Sequence, residues 1–206
     1  MPGLFPLDPP GLKHLPGFAL AVEGQLIDAA LAVAAAAPFR VMATPGGKPM
    51  SAAITNCGAA GWVSDRRGYR YEPRDPQSGR AWPDIPEPFM NLAARAAAAA
   101  GFAGFTPDVC LINRYAPGAK MALHQDKDEA DFTAPIVSVS LGLPAIFLWG
   151  GAQRTDRAQK IPLESGDVVV WGGAERLYFH GIAPVKTGHH PILGATRLNL
   201  TFRRAL

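Results

Sequence analysis

The chain is poor in the features that mark secreted and membrane proteins. Two cysteines, Cys57 and Cys110, are too few for a disulfide scaffold in 206 residues, and no CxxC pair suggests a redox motif or a zinc site. No apolar run is long enough for a transmembrane helix. The first residues also lack the cationic start and apolar stretch of a signal peptide. We therefore expect a cytoplasmic protein with reduced thiols and no membrane contact.

Charge is also scarce, since only 18% of residues are charged and the net charge is +3. This weak positive balance permits contact with nucleic acid without requiring it. Hydrophobic residues make up 48% of the chain, which excludes a disordered protein and favours a substantial core. The length predicts a single domain over residues 1–206. We expect it to be a monomer.

Proline and glycine divide the first half of the chain. They are frequent near the N-terminus, where residues 1–20 are predicted to form an irregular arm. Apolar residues recur at helical spacing over residues 25–37, and a second helix is predicted over 87–100, with Gly101 as its C′ residue. Residues 41–83 contain short β-like pieces, many turns and several aromatics, which predict a surface flap. Residues 21–105 are thus assigned to helices and a flap.

After Gly101, short strand-like runs separated by Gly or Pro turns dominate, and no helical pattern alternates with them. Such spacing is typical of a β-sandwich or barrel rather than a doubly wound α/β fold. We predict an α+β, mainly β, fold, in which residues 106–206 form a double-stranded β-helix (jelly roll) catalytic core. The predicted strands cover residues 109–115, 136–142, 145–149, 167–171, 176–180 and 197–203.

Three residues suggest a metal site. His124 and Asp126 are two apart, so in an extended chain their side chains point the same way. His180 follows a β-like run and could supply a third ligand. Two histidines and one carboxylate on one face of the metal are the ligand set of non-haem Fe(II) oxygenases, whose open positions take cosubstrate and O2.

Competing interpretations exist for each of these residues. An HxD pattern is common by chance and could mark an exposed strand end, and His180 could be a buried histidine with satisfied hydrogen bonds. The other histidines are poorer candidates: His14 lies in the Pro-rich arm. Residues His189 and His190 are adjacent, so on a strand they would face opposite ways.

The last predicted strand alternates strictly. Leu198, Leu200 and Phe202 share one face, and Arg197, Asn199, Thr201 and Arg203 share the other. Arginines that point into a barrel need anionic partners, and a small dicarboxylate would pair with them in a bidentate way. Asn113 and Tyr115 share a face of an earlier strand and could donate hydrogen bonds to the same ligand. An exposed edge strand is the alternative for the arginines.

These motifs together resemble the AlkB-type dealkylating dioxygenases, over about residues 38–204. The resemblance implies Fe(II) bound by His124, Asp126 and His180, with 2-oxoglutarate as cosubstrate and O2 as oxidant. It also implies that Asn113, Tyr115, Arg197, Asn199 and Arg203 hold 2-oxoglutarate. The matching segments are NRYAPGAK from Asn113, HQDKD from His124, IVSVSLG from Ile136, GDVVVWGG from Gly166 and RLNLTFR from Arg197.

The resemblance further implies repair of alkylated bases such as 1-methyladenine and 3-methylcytosine, with release of formaldehyde and succinate. Trp62 and Tyr69 match residues of a nucleotide-recognition flap, Asp128 the carboxylate near the base's exocyclic amine, and Arg154 a pocket wall. The partner would be single- or double-stranded DNA, or RNA. The pair Leu148-Trp149 is bulkier than the family pattern, which bears on substrate preference and not on the chemistry.

Two other functions remain open on sequence alone. An oxygenase acting on a protein or a small molecule would use the same triad and arginines, and only the flap and Asp128 argue against it. A catalytically inactive nucleic-acid-binding module would be the third possibility, which the intact triad disfavours.

Overall fold

The computed structural model describes residues 11–206, in which two helices pack on one side of a large sheet. Helix α1 spans Glu23–Ala36 and helix α2 spans Glu87–Ala99, close to the predicted ranges. The buried faces of both helices belong to the main hydrophobic core. Gly101 follows the C-cap of α2 with a φ of +92°, as predicted for a C′ residue. No helix in residues 11–206 is long and apolar enough to cross a membrane.

The described chain also forms twelve strands, and all the pairings between them are antiparallel. Two short 3-10 helices lie at Leu20–Val22 and Gly173–Glu175. In chain order the strands are β1 (Leu12–Leu15), β2 (Ala53–Gly58), β3 (Gly61–Asp65), β4 (Gly68–Glu72), β5 (Val109–Tyr115), β6 (Met121–His124), β7 (Ile136–Gly142), β8 (Ala145–Trp149), β9 (Gln159–Leu163), β10 (Val168–Trp171), β11 (His180–Ile182) and β12 (Arg197–Arg203).

The strands form two facing sheets and a separate hairpin. The large sheet has the order β1-β10-β7-β12-β5-β2, the small sheet has the order β6-β11-β8-β9, and β3 pairs with β4. One apolar cluster joins the large sheet to the helices, and a second lies between the sheets and includes Trp171 from the large sheet and Trp149 from the small one. This arrangement is the predicted jelly roll.

Strand β12 occupies an inner position of the large sheet, between β7 and β5, and all seven of its residues are buried. Leu198, Leu200 and Phe202 pack in the core shared with the helices. Because side chains alternate along a strand, Arg197 and Arg203 point the other way, between the sheets. The predicted polar face is therefore an interior face, and the alternative of an exposed edge strand is wrong.

Three predictions about element boundaries are wrong. Leu12–Leu15, expected in an irregular arm, is a strand that pairs with β10, whereas residues 1–10 lie outside the described part. Ala53–Gly58, expected in the flap, is a buried strand of the large sheet, so the sheet extends beyond residues 106–206. Residues 176–179 are not a strand, because the chain turns there after the 3-10 helix, with the Tyr178 N–H donating to the carbonyl of Glu175 at 2.9 Å, and β11 begins only at His180.

Strand β9, at the edge of the small sheet, was not predicted. Its residues Gln159–Leu163 are mostly exposed, and Pro162 interrupts the strand-like composition. A proline is tolerated there because an edge strand leaves some N–H groups unpaired.

Candidate metal and cosubstrate site

The open end of the small sheet brings the three predicted ligands together. His124 ends β6, His180 begins β11, and the two are direct neighbours in the antiparallel register. Asp126 follows β6 by two residues. One potential ligand atom from each residue lies within 4.8 Å of those of the other two, and this is the only such cluster within residues 11–206. The placement agrees with the spacing argument made from the sequence.

Both imidazoles are oriented by the backbone. Nδ1 of His124 lies 2.9 Å from the carbonyl of Ala122, and Nδ1 of His180 lies 3.0 Å from the carbonyl of Tyr178. A carbonyl can only accept, so each Nδ1 carries the proton and each Nε2 keeps a free lone pair. Both Nε2 atoms lie 3.6 Å from a carboxylate oxygen of Asp126. Three lone pairs therefore face one point, as a divalent metal requires.

Electrostatics favours the protonation states that bind metal. Burial and the neighbouring His124 lower the pKa of His180 below its ordinary value, which keeps this imidazole neutral. Burial raises the pKa of Asp126, but the Arg203 guanidinium outweighs it and holds the pKa well below the usual range. The carboxylate is thus anionic although it is buried.

Gly181 permits the close approach of the two ligand strands. A Cβ at this position would lie 2.6 Å from the carbonyl oxygen of Met121, well inside contact distance. The register between β6 and β11 also shifts between His180 and Ile182. The two imidazole rings consequently lie with their centroids 4.4 Å apart.

Arg197, at one end of β12, is a fully buried cation. Its guanidinium donates to the carbonyl of Leu143 at 3.3 Å and to the hydroxyl of Ser140 at 2.9 Å, but it has no acidic partner in the described part of the chain. Burial lowers its pKa to about 10. A buried cation with neutral partners is costly, and a carboxylate supplied by a ligand would compensate it.

The other predicted cosubstrate residues line the same interior surface. Tyr115 lies opposite Arg197 in the register, and burial raises the pKa of its phenol to about 12, so it remains a hydrogen-bond donor. Asn113 and Asn199 are also paired in register, with the Asn113 amide donating to Asn199 at 3.4 Å. The buried Oδ1 of Asn113 has no hydrogen-bond partner. The Tyr115 hydroxyl and the Asn113 amide N–H groups are donors that suit a small dicarboxylate.

Comparison with known proteins agrees with this geometry. Residues 11–203 match the model of the 2OG-Fe(II) oxygenase superfamily. The chain belongs to this superfamily. It is 59% identical over 195 residues to the alpha-ketoglutarate-dependent dioxygenase AlkB of Escherichia coli (strain K12), covering 95% of this chain and 90% of that one. Fe(II), 2-oxoglutarate and O2 are therefore the cofactor, cosubstrate and oxidant of this dioxygenase.

Two further similarities concern nucleic acid dioxygenases and their fold. The chain is 31% identical over 124 residues to the nucleic acid dioxygenase ALKBH1 of Mus musculus, covering 60% of this chain and 32% of that one. The solved structure of OsALKBH1 superposes with a TM-score of 0.83 at 32% identity, covering 95% of this chain and 97% of that one. The jelly-roll assignment is confirmed by this superposition.

At the other end of β12, the oxygenase contains a buried ionic network. Arg203 contacts Asp126 at 2.9 Å and Glu129 at 3.2 Å, and donates to the Tyr71 hydroxyl at 2.9 Å. Although burial lowers its pKa, these acidic neighbours raise it above the ordinary value. Arg176 contacts the second oxygen of Glu129 at 3.4 Å and donates to the carbonyl of Asp126 at 2.8 Å. The network orients a candidate iron ligand.

Sequence analysis missed Glu129, Arg176 and Tyr71. Glu129 belongs to a run of charges that resembles a solvated surface, yet its side chain has no exposed area. Tyr71 lies on β4 and donates to Glu129 at 2.8 Å, which links the hairpin to the ionic network. No pattern in a single sequence would have identified these partners, because each lies far from Arg203 along the chain or in an unremarkable charged segment.

The hairpin β3–β4 carries the predicted substrate aromatics. Trp62 and Tyr69 stack with centroids 5.4 Å apart and planes 13° apart. The indole N–H of Trp62 donates to the Asp128 carboxylate at 2.9 Å. Asn56 holds the Trp62 backbone through two hydrogen bonds. The structure thus places Trp62, Tyr69 and Asp128 in one group. Asp128 links this group to the candidate ligands, because it lies two residues after Asp126 in the chain.

Arg154 lies apart from that group, in the segment between β8 and β9. Its guanidinium is 5.2 Å from the ring centroid of Phe179, the residue before His180. Trp149 is buried against Trp171, with centroids 6.0 Å apart, whereas Leu148 is half-buried on the opposite face of β8. Arg154 therefore lies near the ligand cluster, but separately from the aromatic hairpin.

Two of the three other histidines in residues 11–206 contact carboxylates. His14 Nε2 lies 3.1 Å from Asp167, and His190 Nε2 lies 3.5 Å from Glu23. Neither belongs to the metal cluster, in agreement with the sequence argument.

Proposed function

We propose that this dioxygenase oxidatively dealkylates nucleic acid bases, with 1-methyladenine and 3-methylcytosine as substrates and formaldehyde and succinate as products. The observation that carries the proposal is the Trp62–Tyr69 stack joined by a hydrogen bond to Asp128, next to the candidate iron ligands. An aromatic surface and a carboxylate beside an oxidising centre suit a planar, cationic base.

We assign iron binding to His124, Asp126 and His180. Their three facing lone pairs and the anionic state of Asp126 support this role. When bound, iron and 2-oxoglutarate supply an oxidation of the alkyl carbon in which O2 is consumed and 2-oxoglutarate becomes succinate and CO2. The protein contributes orientation and exclusion of water, because the interior surface that faces this point is buried.

We assign 2-oxoglutarate binding to Asn113, Tyr115, Arg197, Asn199 and Arg203. Arg197 would pair with the distal carboxylate, because it has no acidic partner within residues 11–206. Arg203 lies near the chelating end, where it already contacts Asp126. Tyr115 and Asn113 would donate hydrogen bonds to the carboxylates between these positions.

Recognition of the damaged base would rest on charge. 1-Methyladenine and 3-methylcytosine are cations, and a cation over the face of Trp62 or Tyr69 gains roughly 0.5–2 kcal/mol. The Asp128 carboxylate would accept a hydrogen bond from the exocyclic amine, and this bond is stronger to the cation than to the neutral product. Alkylation also prevents base pairing, which lowers the cost of extruding the base. Arg154 would form part of the pocket wall.

We further propose that the protein acts as a monomer, organised as a single domain, in the cytoplasm, on single- or double-stranded DNA or on RNA. Both cysteines are buried and free, which is typical of a reducing compartment. Strands from the N-terminal third join the same large sheet as the C-terminal strand, which supports a single folding unit.

The decisive test is turnover of defined lesions. Purified protein with Fe(II), 2-oxoglutarate and O2 is incubated with single-stranded DNA carrying 1-methyladenine or 3-methylcytosine. We expect the unmodified base, with formaldehyde and succinate in equal amounts. Parallel oligonucleotides with neutral lesions, 1-methylguanine and 3-methylthymine, test the charge argument. The absence of formaldehyde and base reversal with every lesion would contradict the proposal.

Two variants separate the steps of this reaction. Asp128→Asn keeps the shape of the side chain but removes its charge, so kcat/KM should fall on the order of tenfold more for the cationic than for the neutral lesions. His124→Ala should abolish turnover while 2-oxoglutarate still protects the protein against thermal unfolding. An Asp128→Asn variant with equal losses for both lesion types would exclude charge recognition by this residue.

A further inference from the structure

Three cations lie together on the segment between β8 and β9 and at the start of β9. We call Arg154, Arg157 and Lys160 the β8–β9 rim. All three are exposed, and none forms an ion pair with any residue of the described chain. The same segment contains one acidic residue, Asp156, whose carboxylate accepts the backbone N–H of Gln153 at 2.9 Å and forms no ion pair with the three cations. The segment therefore keeps a net positive charge of +2.

Two arginines of the aromatic hairpin are already paired with acidic residues. On the hairpin β3–β4, Arg70 contacts Asp65 at 3.0 Å and Glu72 at 2.6 Å, and Arg67 contacts Asp65 at 3.4 Å. These arginines would have to give up protein partners before they could bind a phosphate. The β8–β9 rim has no such competition.

The rim lies at the same end of the small sheet as the candidate iron ligands. The antiparallel register places Trp149 beside His180 and Gln159 beside Trp149. Neighbouring strands are about 4.8 Å apart, so Gln159 lies about 10 Å from His180. Arg157, Ala158, Gln159 and Lys160 line a shallow concave surface that is open to solvent. The rim and the aromatic hairpin thus lie on different sides of the ligand cluster.

We propose that Arg157 and Lys160 bind phosphates of the nucleic acid strand on one side of the base that is being dealkylated. This inference rests on the proposed function and extends it to a path for the strand. Each strand of a duplex carries one phosphate per 3.4 Å of axis. A distance of about 10 Å therefore corresponds to about three phosphates, so the rim meets the backbone a few nucleotides from the extruded base.

The salt dependence of binding provides a quantitative test. Each phosphate contact contributes about 0.7 to the slope of log K against log salt for a single strand and about 0.9 for a duplex. Loss of two contacts should make the slope shallower by about 1.4 for a single strand. At 0.1 M salt this corresponds to on the order of tenfold weaker binding.

The experiment compares the wild type with Arg157→Ala/Lys160→Ala. The probe is a fluorescent DNA of 15 nucleotides, ~5 nm long, with one central 1-methyladenine. Its binding is followed by fluorescence anisotropy between about 0.05 and 0.3 M salt, where the electrostatic slope is measurable. The full chain carries Fe(II) and 2-oxoglutarate under anaerobic conditions, which prevents turnover. We expect the shallower slope in the double variant and retention of the slope in Arg157→Lys/Lys160→Arg.

A matched control removes the same charge elsewhere. Arg95 lies on α2, which packs on the helix side of the large sheet, and Lys186 follows β11 at the end remote from His180. Arg95→Ala/Lys186→Ala should keep the wild-type slope. The nucleoside 5′-monophosphate of 1-methyladenine is too short to reach the rim, so kcat/KM for it should be unchanged in the rim variant.

The outcomes separate the two proposals. If the rim variant has the wild-type slope while the wild type dealkylates DNA, the rim inference is overturned and the proposed function stands. An equal loss of slope in the Arg95→Ala/Lys186→Ala control would also overturn it, since net charge alone would then explain binding. A specific loss of slope in a protein that dealkylates no lesion would support the rim and contradict the proposed function.

Discussion

The two ends of β12 solve the same electrostatic problem in different ways. Arg203 and Arg197 lie on one face of one strand, and both are buried. Around Arg203 the protein supplies Asp126, Glu129 and the Tyr71 hydroxyl, and the pKa of the guanidinium rises. Around Arg197 it supplies only neutral hydrogen-bond partners, and burial outweighs the more distant charge of Asp167 and lowers the pKa to about 10.

This difference separates structural charge from charge reserved for a ligand. A buried cation with protein anions around it stabilises the fold and orients its neighbours. A buried cation without an anion costs stability in the free protein, and a dicarboxylate that binds there recovers this cost as affinity. We therefore propose that the cosubstrate binds mainly at the Arg197 end of β12 and that Arg203 mainly positions Asp126.

The largest expected effect is on stability at the Arg203 end. Arg203→Met would leave Asp126 and Glu129 buried with less compensation, so the free energy of unfolding should fall by about 3–5 kcal/mol. Urea unfolding of the metal-free protein measures this change. In the same assay, Arg197→Met should cost less than about 1 kcal/mol, because it removes a cation that has no anion. Equal destabilisation by both substitutions would refute the contrast.

A somewhat smaller effect is expected on cosubstrate affinity at the Arg197 end. Truncation of one partner in a buried charge pair costs about 2–5 kcal/mol, so Arg197→Met should raise the Kd for 2-oxoglutarate at least about 30-fold. Calorimetric titration of the anaerobic Fe(II) protein measures it. Arg197→Lys keeps the charge but not the bidentate geometry, so its Kd for 2-oxoglutarate should lie between those of the wild type and Arg197→Met. Wild-type affinity in the Met variant would remove Arg197 from the binding site.

The smallest expected effect concerns one tyrosine at each end. Burial raises the pKa of Tyr115 to about 12, and burial also raises the pKa of Tyr71, against the influence of Arg203. Both phenols stay protonated in the folded state, while unfolded tyrosine ionises near 10. Their contribution to stability is complete below pH 10 and is lost as the pH rises, at no more than about 1.4 kcal/mol per pH unit for each group.

Ultraviolet difference titration of tyrosinate tests this expectation. Of the four tyrosines in the chain, Tyr71 and Tyr115 should ionise after the ordinary range, and Tyr115→Phe should remove the step near pH 12. All four groups titrating together near 10 in a folded protein would show that the ends of β12 are open to water.

The sequence predicted the Arg197 end better than the Arg203 end. Strict alternation in RLNLTFR predicted that Arg197 and Asn199 share an interior face, and the spacing of His124 and Asp126 predicted that these two candidate ligands lie together. Both arguments use only the alternation of side chains along an extended chain, which does not depend on the tertiary contacts. The jelly roll followed from the run of short strands for the same reason.

The partners of Arg203 could not be predicted, because they depend on contacts between distant segments. Tyr71 and Arg203 are 132 residues apart in the chain, and Arg176 reaches Asp126 across 50 residues. Strand β1 was missed because its proline- and glycine-rich surroundings suggested irregular structure, whereas its pairing with β10 supplies the hydrogen bonds that stabilise it. Tertiary pairing overrides local propensity at such positions.

Gly181 shows how a residue without chemistry can set a chemical property. A Cβ at Gly181 would lie 2.6 Å from the carbonyl oxygen of Met121. Even a methyl group would therefore push β6 away from β11 and increase the distance between the two imidazoles. The span between Nε2 atoms decides which ion radius and coordination geometry the triad accepts. The absence of a side chain at Gly181 thus sets the distance between the two imidazole nitrogens and, through it, the size of the metal ion that the site accepts.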